Sequence, residues 1–218
     1  MNSKVIKRIY FIRHGKTEGN TTEKSQLPDT SLSEEGRRQA QYAAERFSHI
    51  HIDTIISSPY QRTKETAEAI AQTLGKEVVF DDVFRELKRP SEIVGTSFSS
   101  PEYHRVINEI EKIELDPNVR YSDEETLFEL EARARQALDF LIRQPETDIV
   151  LVTHGVFLKM MFAAMMTTGA KATIILFREL RYFVEIQNTD ISIVEYGEES
   201  RGGLRFRLRV LNDRAHLG

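Results

Sequence analysis

The stretch YFIRHGKTEGN, Tyr10 to Asn20, starts as an apolar strand and ends as a polar turn broken by glycine. Upstream, Val5 to Ile12 is rich in β-branched and aromatic residues, as a buried strand is. At the change stand Arg13, His14 and Gly15. A second apolar strand, DIVLVTHG (Asp148 to Gly155), stops in the same way, at Thr153-His154-Gly155. In open α/β sheets, ligands bind beyond the carboxyl ends of the strands. The two strands are therefore expected to set two imidazoles at one sheet edge. Each glycine is expected to free a sharp turn and let a ligand approach closely. A helix after Gly155 would turn its free N–H groups toward the same edge as an anion site.

The rest of the chain supplies the layers. Thr21 to Thr30 reads as loop. Ser33 fits an N-cap, with Glu34 and Glu35 in a first turn where they complement the helix dipole, and that helix runs to about Phe47. DTIISSP is a short strand. Ser58 then reads as the cap of a helix with Pro59 at its first position, which carries Thr66, Ala67, Ile70, Ala71 and Leu74 inward and ends near Gly75. KEVVF is a third strand, Asp81 to Ser100 is irregular, and Pro101 opens another helix. Glu124 to Arg143 is strongly periodic, with Leu127, Leu130, Ala134, Leu138 and Leu141 on one side. A Met-rich helix follows Gly155. DISIVEY and LRFRLRVL alternate apolar and polar around EESRGG, which predicts a hairpin. Strands alternating with helices argue for an α/β fold, a three-layer α/β/α sandwich whose central sheet is mostly parallel with an antiparallel edge strand. Residues 1–218 read as a single domain, with about 85–122 as a loop and helix insertion over the site.

Composition narrows the chemistry. The 218 residues carry a net charge of −4, which gives no general attraction to nucleic acid or to an anionic membrane. An anion site must therefore come from local clustering. There is no cysteine, so disulfides, thiolate zinc sites and a cysteine nucleophile are excluded, and a cytoplasmic location fits. The N-terminal run is too short and too charged for a signal peptide, and nothing approaches a membrane helix. Three further stretches are read as structural. The methionines of KMMFAAMM are core filler. RFRLR is the charged outer face of an edge strand rather than a nucleic-acid patch. HIHID, His49 to Asp53, lacks the histidine that would continue a metal motif, because Thr54 stands there.

Arg62, in SSPYQRT at the start of a helix that also leaves a strand end, aims a guanidinium at the same edge. Two arginines, two histidines and a helix N-terminus make a positive cluster in an acidic protein, and the planar fork of arginine suits a phosphate. The motifs RHGKTEGN, LSEEGRRQA, SSPYQRTKETA, FRELKRPSEIVG and VTHG, over roughly residues 6–160, resemble in sequence and order those of the histidine phosphatase superfamily, the phosphoglycerate-mutase-like fold. The tail LNDRAHL is similar as well. RHG alone is a weak motif; the ordered set is a strong one.

The resemblance implies a metal-independent phosphomonoesterase that works through a phosphohistidine on His14, with no cofactor and a small phosphorylated metabolite as its partner. It implies that one ring nitrogen of His14 attacks while the other donates to a carbonyl near Gly15, and that Arg13, Arg62 and His154 hold the phosphoryl group. Glu86 matches the family's acid/base glutamate, with Glu92 as runner-up. Asn20, Thr17 and Gly155 are candidate phosphate or substrate contacts. Lys88 and Arg89, beside Glu86, suggest a substrate with extra negative charge. Two alternatives stay open. One is a phosphoglycerate mutase dependent on 2,3-bisphosphoglycerate, although ELKRPSE differs from the usual mutase acid loop. The other is a non-catalytic phospholigand-binding module.

Overall fold

The computed structural model describes residues 4–199 and 202–218. Its centre is a six-stranded sheet. The strands are β1 (Val5–Arg13), β2 (Thr54–Ser57), β3 (Val78–Phe80), β4 (Asp148–Thr153), β5 (Ile191–Glu198) and β6 (Leu204–Asp213), in the order β3-β2-β4-β1-β5-β6. β1 to β4 pair in parallel; β5 pairs antiparallel with β1, and β6 antiparallel with β5. The hairpin thus forms one edge of the sheet. Of its expected connection EESRGG, residues 200–201 lie outside the described residues, as do residues 1–3 of the expected N-terminal run.

Side-chain alternation along the central strands builds both cores. Tyr10, Ile12, Val150 and Val152 face α2 (Glu34–Ser48) and α3 (Gln61–Leu74) through Ala43, Phe47, Ala67 and Ile70. Ile9, Phe11, Ile149 and Leu151 face the other layer, α5 (Leu127–Arg143), α6 (Gly155–Met166) and α7 (Ala170–Phe183). Met160 and Met161 are fully buried there. The remaining helices are the short α1 (Glu18–Thr21) and α4 (Pro101–Ile113), within the stretch read as an insertion. No helix among the described residues is long and apolar enough to cross a membrane.

Two local expectations change. The helix after β2 begins at Gln61, not Pro59, and its cap residue Tyr60 makes no side-chain cap bond. Ser58 is engaged elsewhere, as shown below. The second change is α7, a separate helix past the Met-rich one that the sequence pattern does not mark. It starts after Gly169 at φ 91° and buries Thr173, Ile174 and Phe177.

The glycine of LSEEGRRQA has a definite task. Ser33 caps α2 and also donates to the Lys16 carbonyl, drawing the helix onto the turn after His14. A Cβ on Gly36 would sit 1.9 Å from that carbonyl oxygen, and one on Gly15 would sit 2.5 Å from the Gly36 oxygen. Gly15 therefore makes room for a helix rather than for a ligand, which corrects the expectation from sequence. Gly36→Ala is expected to cost about 1–3 kcal/mol and lower Tm by roughly 2–12 °C. An unchanged Tm in calorimetry would refute the close packing as the reason for glycine.

Candidate active site

Strand register positions the two histidines. Arg13 pairs with Thr153 across β1 and β4, so the next residues leave the sheet side by side. The His14 and His154 rings lie 5.3 Å apart, near edge-on. The chain leaves β1 toward β2 and leaves β4 toward β5, in opposite directions from this pair. That divergence opens the crevice that a doubly wound sheet uses for ligands.

His14 is 3% exposed. Its Nδ1 lies 2.8 Å from the Gly15 carbonyl oxygen, and Arg62 Nε donates to its Nε2 at 3.2 Å. If Nδ1 carries the proton, both contacts are satisfied at once and the lone pair sits on Nε2. Its backbone is fixed too, because Asn188 Nδ2 donates to the His14 oxygen and Gly15 N–H donates to Thr66 Oγ1. Burial, and then the Arg62 and Arg13 charges, hold the imidazole well below its ordinary titration range. It is neutral and able to offer a lone pair.

His154 is fully buried. Its Nε2 lies 2.9 Å from Ser58 Oγ, the residue that was expected to cap a helix. Its Nδ1 is buried with no partner, and so is Arg13 Nε. Arg13 also donates from Nη1 to the Ile186 carbonyl at 2.6 Å, and a Cβ on Gly155 would meet that guanidinium at 3.4 Å. Arg62 Nη1 donates to the Leu27 carbonyl at 2.9 Å, and its guanidinium lies over the Tyr60 ring, which packs edge-on against His154. Burial pushes Arg62 down to about 10, so it stays charged at neutral pH. Buried polar atoms left without partners beside buried cations are costly unless a ligand meets them.

Glu86 occupies a place the sequence reading gave to a ligand. Val156 N–H donates to its Oε2 at 3.1 Å, and Phe157 N–H and Leu87 N–H to its Oε1 at 2.9 Å each. The helix N-terminus after Gly155 is therefore occupied by an internal carboxylate, which takes the N–H groups of Val156 and Phe157. The physical reason is the helix dipole, which favours an anion there whether the anion is mobile or built in.

The cavity above these groups has a volume of about 370 Å³, and Arg13, His14, Arg62, Glu86, Gly155 and Asn20 all line it. Asn20 Oδ1 accepts from Thr17 and Asn188, which leaves its amide nitrogen without a protein partner among the described residues. Thr17 does not line the cavity. Its buried hydroxyl caps α1 and bonds Asn20 and Gln26, so it braces the loop instead. Glu92 points away and pairs with Arg105 at 3.3 Å, and Lys88 pairs with Asp123 at 3.1 Å. Arg89 lines the cavity with Lys24, Phe98, Tyr103 and Lys159. Sequence reasoning missed Ser58 in its real role, Tyr60, Lys159 and Asn188. Ser58 and Tyr60 carried a signal, since both lie in the motif SSPYQRTKETA; Asn188 comes from an unremarkable turn. In HIHID, His51 forms an exposed pair with Asp53, whose other oxygen accepts from Thr147 and Asp148 N–H.

The histidines predict a pH effect on stability. Their folded values lie below the ordinary 6.5. On acidification the unfolded chain takes up protons that the fold refuses. Their contribution is complete above about pH 6.5 and is lost as pH falls below it. Urea unfolding at pH 7.5 and 5.5 should show a shallower loss for the His14→Asn/His154→Asn double variant than for wild type. Equal losses would contradict the buried neutral pair.

The model of the histidine phosphatase superfamily (branch 1) matches residues 9–212. The chain belongs to this superfamily and is an enzyme of the phosphatase and mutase type. Among its relatives is the probable phosphoglycerate mutase GpmB of Proteus mirabilis, 33% identical over 216 residues, covering 96% of this chain and 94% of that protein. The corresponding protein of Salmonella arizonae is 30% identical with the same coverage. Similar solved structures include the mycobacterial glucosyl-3-phosphoglycerate phosphatase complexed with VO3, with a TM-score of 0.76, 24% identity, and coverage of 95% of this chain and 100% of that one. Another is the phosphoserine phosphatase of Entamoeba histolytica in complex with 3-phosphoglyceric acid, with a TM-score of 0.76, 24% identity, and coverage of 97% and 99%. These two share the fold.

Proposed function

We propose that this protein is a metal-independent phosphomonoesterase that works through a phosphohistidine on His14. The observation that carries this reading is the pairing of a neutral, fixed imidazole with orphaned donors. His14 Nδ1 is held by the Gly15 carbonyl, while His154 Nδ1 and Arg13 Nε are buried without partners. In this reading Nε2 of His14 attacks phosphorus as the ester P–O bond breaks. Arg62 lets go of Nε2 and turns its N–H groups to the phosphoryl oxygens. Arg13 and His154 meet the other oxygens, with Ser58 holding His154 in the tautomer that donates from Nδ1. These groups supply the electrostatic work that phosphoryl transfer asks for. Glu86, when protonated, passes its proton to the leaving alkoxide. As a carboxylate it then takes a proton from the water that cleaves the P–N bond and frees phosphate.

A second reading, a bisphosphoglycerate-dependent mutase, is favoured by the names of the relatives at 30–33% identity. Incubation with 3-phosphoglycerate, followed by ³¹P NMR, separates the two. Phosphatase action releases inorganic phosphate without a primer. Formation of 2-phosphoglycerate that depends on added 2,3-bisphosphoglycerate, with little phosphate released, would overturn the first reading. Phosphate binding without turnover on a broad ester panel would favour a binding module.

A further inference from the structure

Charge in the cavity is unbalanced in a way the phosphoryl group does not correct. Five cationic side chains line it, Arg13, Lys24, Arg62, Arg89 and Lys159, against one carboxylate, Glu86. A bound phosphoryl dianion would still leave an excess of two positive charges. The protein pairs its cations readily nearby: Arg85 with Glu125, Lys88 with Asp123, Arg105 with Glu92, and Arg181 with Glu111. Among the described residues, Lys24, Arg89 and Lys159 form no such pair.

Lys159 is the most telling of the three. It is half-buried on the second turn of α6, and its ammonium donates to one protein acceptor, the Arg181 carbonyl, at 2.9 Å. That contact fixes the amine at the C-terminal end of α7, whose dipole favours a cation, and leaves two N–H donors. Glu86 and Glu185 favour its charge from a distance without touching it, and burial, Arg13 and Arg181 oppose it. A half-buried ammonium with spare donors and no counter-ion is costly until an anion arrives. Phe98 and Tyr103, with ring centroids 5.1 Å apart, line the same cavity, whose volume of about 370 Å³ is that of a small-ligand site.

We propose that Lys159 and Arg89 form a second anion subsite in this cavity, which selects short phosphomonoesters that carry a carboxylate. The proposal rests on the phosphomonoesterase reading above. Its test is a matched pair of three-carbon substrates, 3-phosphoglycerate and glycerol 3-phosphate, which differ in a carboxylate against a hydroxymethyl group. Wild type should favour 3-phosphoglycerate in kcat/KM by about tenfold or more, the scale of a charge-assisted hydrogen bond. Lys159→Gln and Arg89→Gln should each cut that ratio several-fold, mainly through KM. Lys171→Gln, exposed on the first turn of α7, should leave it unchanged. A wild-type ratio near one, or a ratio that survives both variants, overturns the subsite. p-Nitrophenyl phosphate separates the two levels. If wild type hydrolyses it but shows no carboxylate preference, the subsite alone falls. If wild type hydrolyses none of the three esters, the phosphomonoesterase reading falls and takes the subsite with it.

Discussion

Replacing His14 with alanine is expected to lower phosphate release from any substrate by about 10⁴-fold or more, the usual cost of removing a nucleophile. Its Nε2 is the ring nitrogen left with a lone pair once Nδ1 is committed to the Gly15 carbonyl. His154 cannot substitute for it, because its Nε2 is turned to Ser58 and, in this reading, its Nδ1 carries a proton. Binding should largely survive, since Arg13, Arg62 and His154 remain, so titration with inorganic phosphate or vanadate is the control for an intact site. A second readout is independent of rate. Wild type quenched in alkaline detergent should carry a phosphoryl label that is acid-labile and alkali-stable, and His14→Ala should carry none. Rates equal to wild type, sensitive to chelator in both proteins, would sink the phosphohistidine mechanism and point to a metal instead.

Glu86→Gln is expected to cost about 10²–10⁴-fold on alkyl phosphates, the range for a lost general acid and base. The loss should be much smaller on p-nitrophenyl phosphate when formation of the phosphohistidine limits the rate, because that leaving group departs without a proton. Val156 and Phe157 N–H donate to different oxygens of Glu86, and a glutamine offers only one, so the Tm of the variant is measured beside its rates to separate lost chemistry from a loosened fold. Glu92→Gln should change neither rate by more than a few-fold, because Glu92 is tied to Arg105 away from the cavity. Leaving-group dependence appearing in the Glu92 variant instead would move the proton-transfer role there.

The sequence is most informative where one local rule acts alone. The apolar runs of β1 and β4, the Ser33 cap, the Gly75 stop and the inward leucines of α5 are each set by residues within a few positions of one another. The Arg13, His14, Arg62 and His154 cluster was readable for a different reason: strand ends and helix starts converge at one edge of such a sheet. The misreadings lie where distant parts compete for the same group. Ser58 looks like a cap until His154, from β4, takes its hydroxyl. The first N–H groups of α6 look open until Glu86 arrives from a loop 70 residues earlier. Thr17 looks exposed to a ligand until Gln26 closes on it. Gly15 looks made for a substrate until α2 fills the space through Gly36.

The pairing of Arg13 with Thr153 constrains how this enzyme can change over evolution. His14 and His154 owe their proximity to the alignment of the two central strands, so a slip by one residue would send one imidazole to the opposite face. Mutation cannot nudge the reacting pair by small steps; it can only keep the pair or lose the core with it. The residues around the mouth are under no such tie, since Lys24, Arg89, Phe98 and Tyr103 sit on loops and on α4 outside the sheet. Diversification among descendants of this chain is thus channelled toward the choice of molecule, while the bond that is broken stays the same.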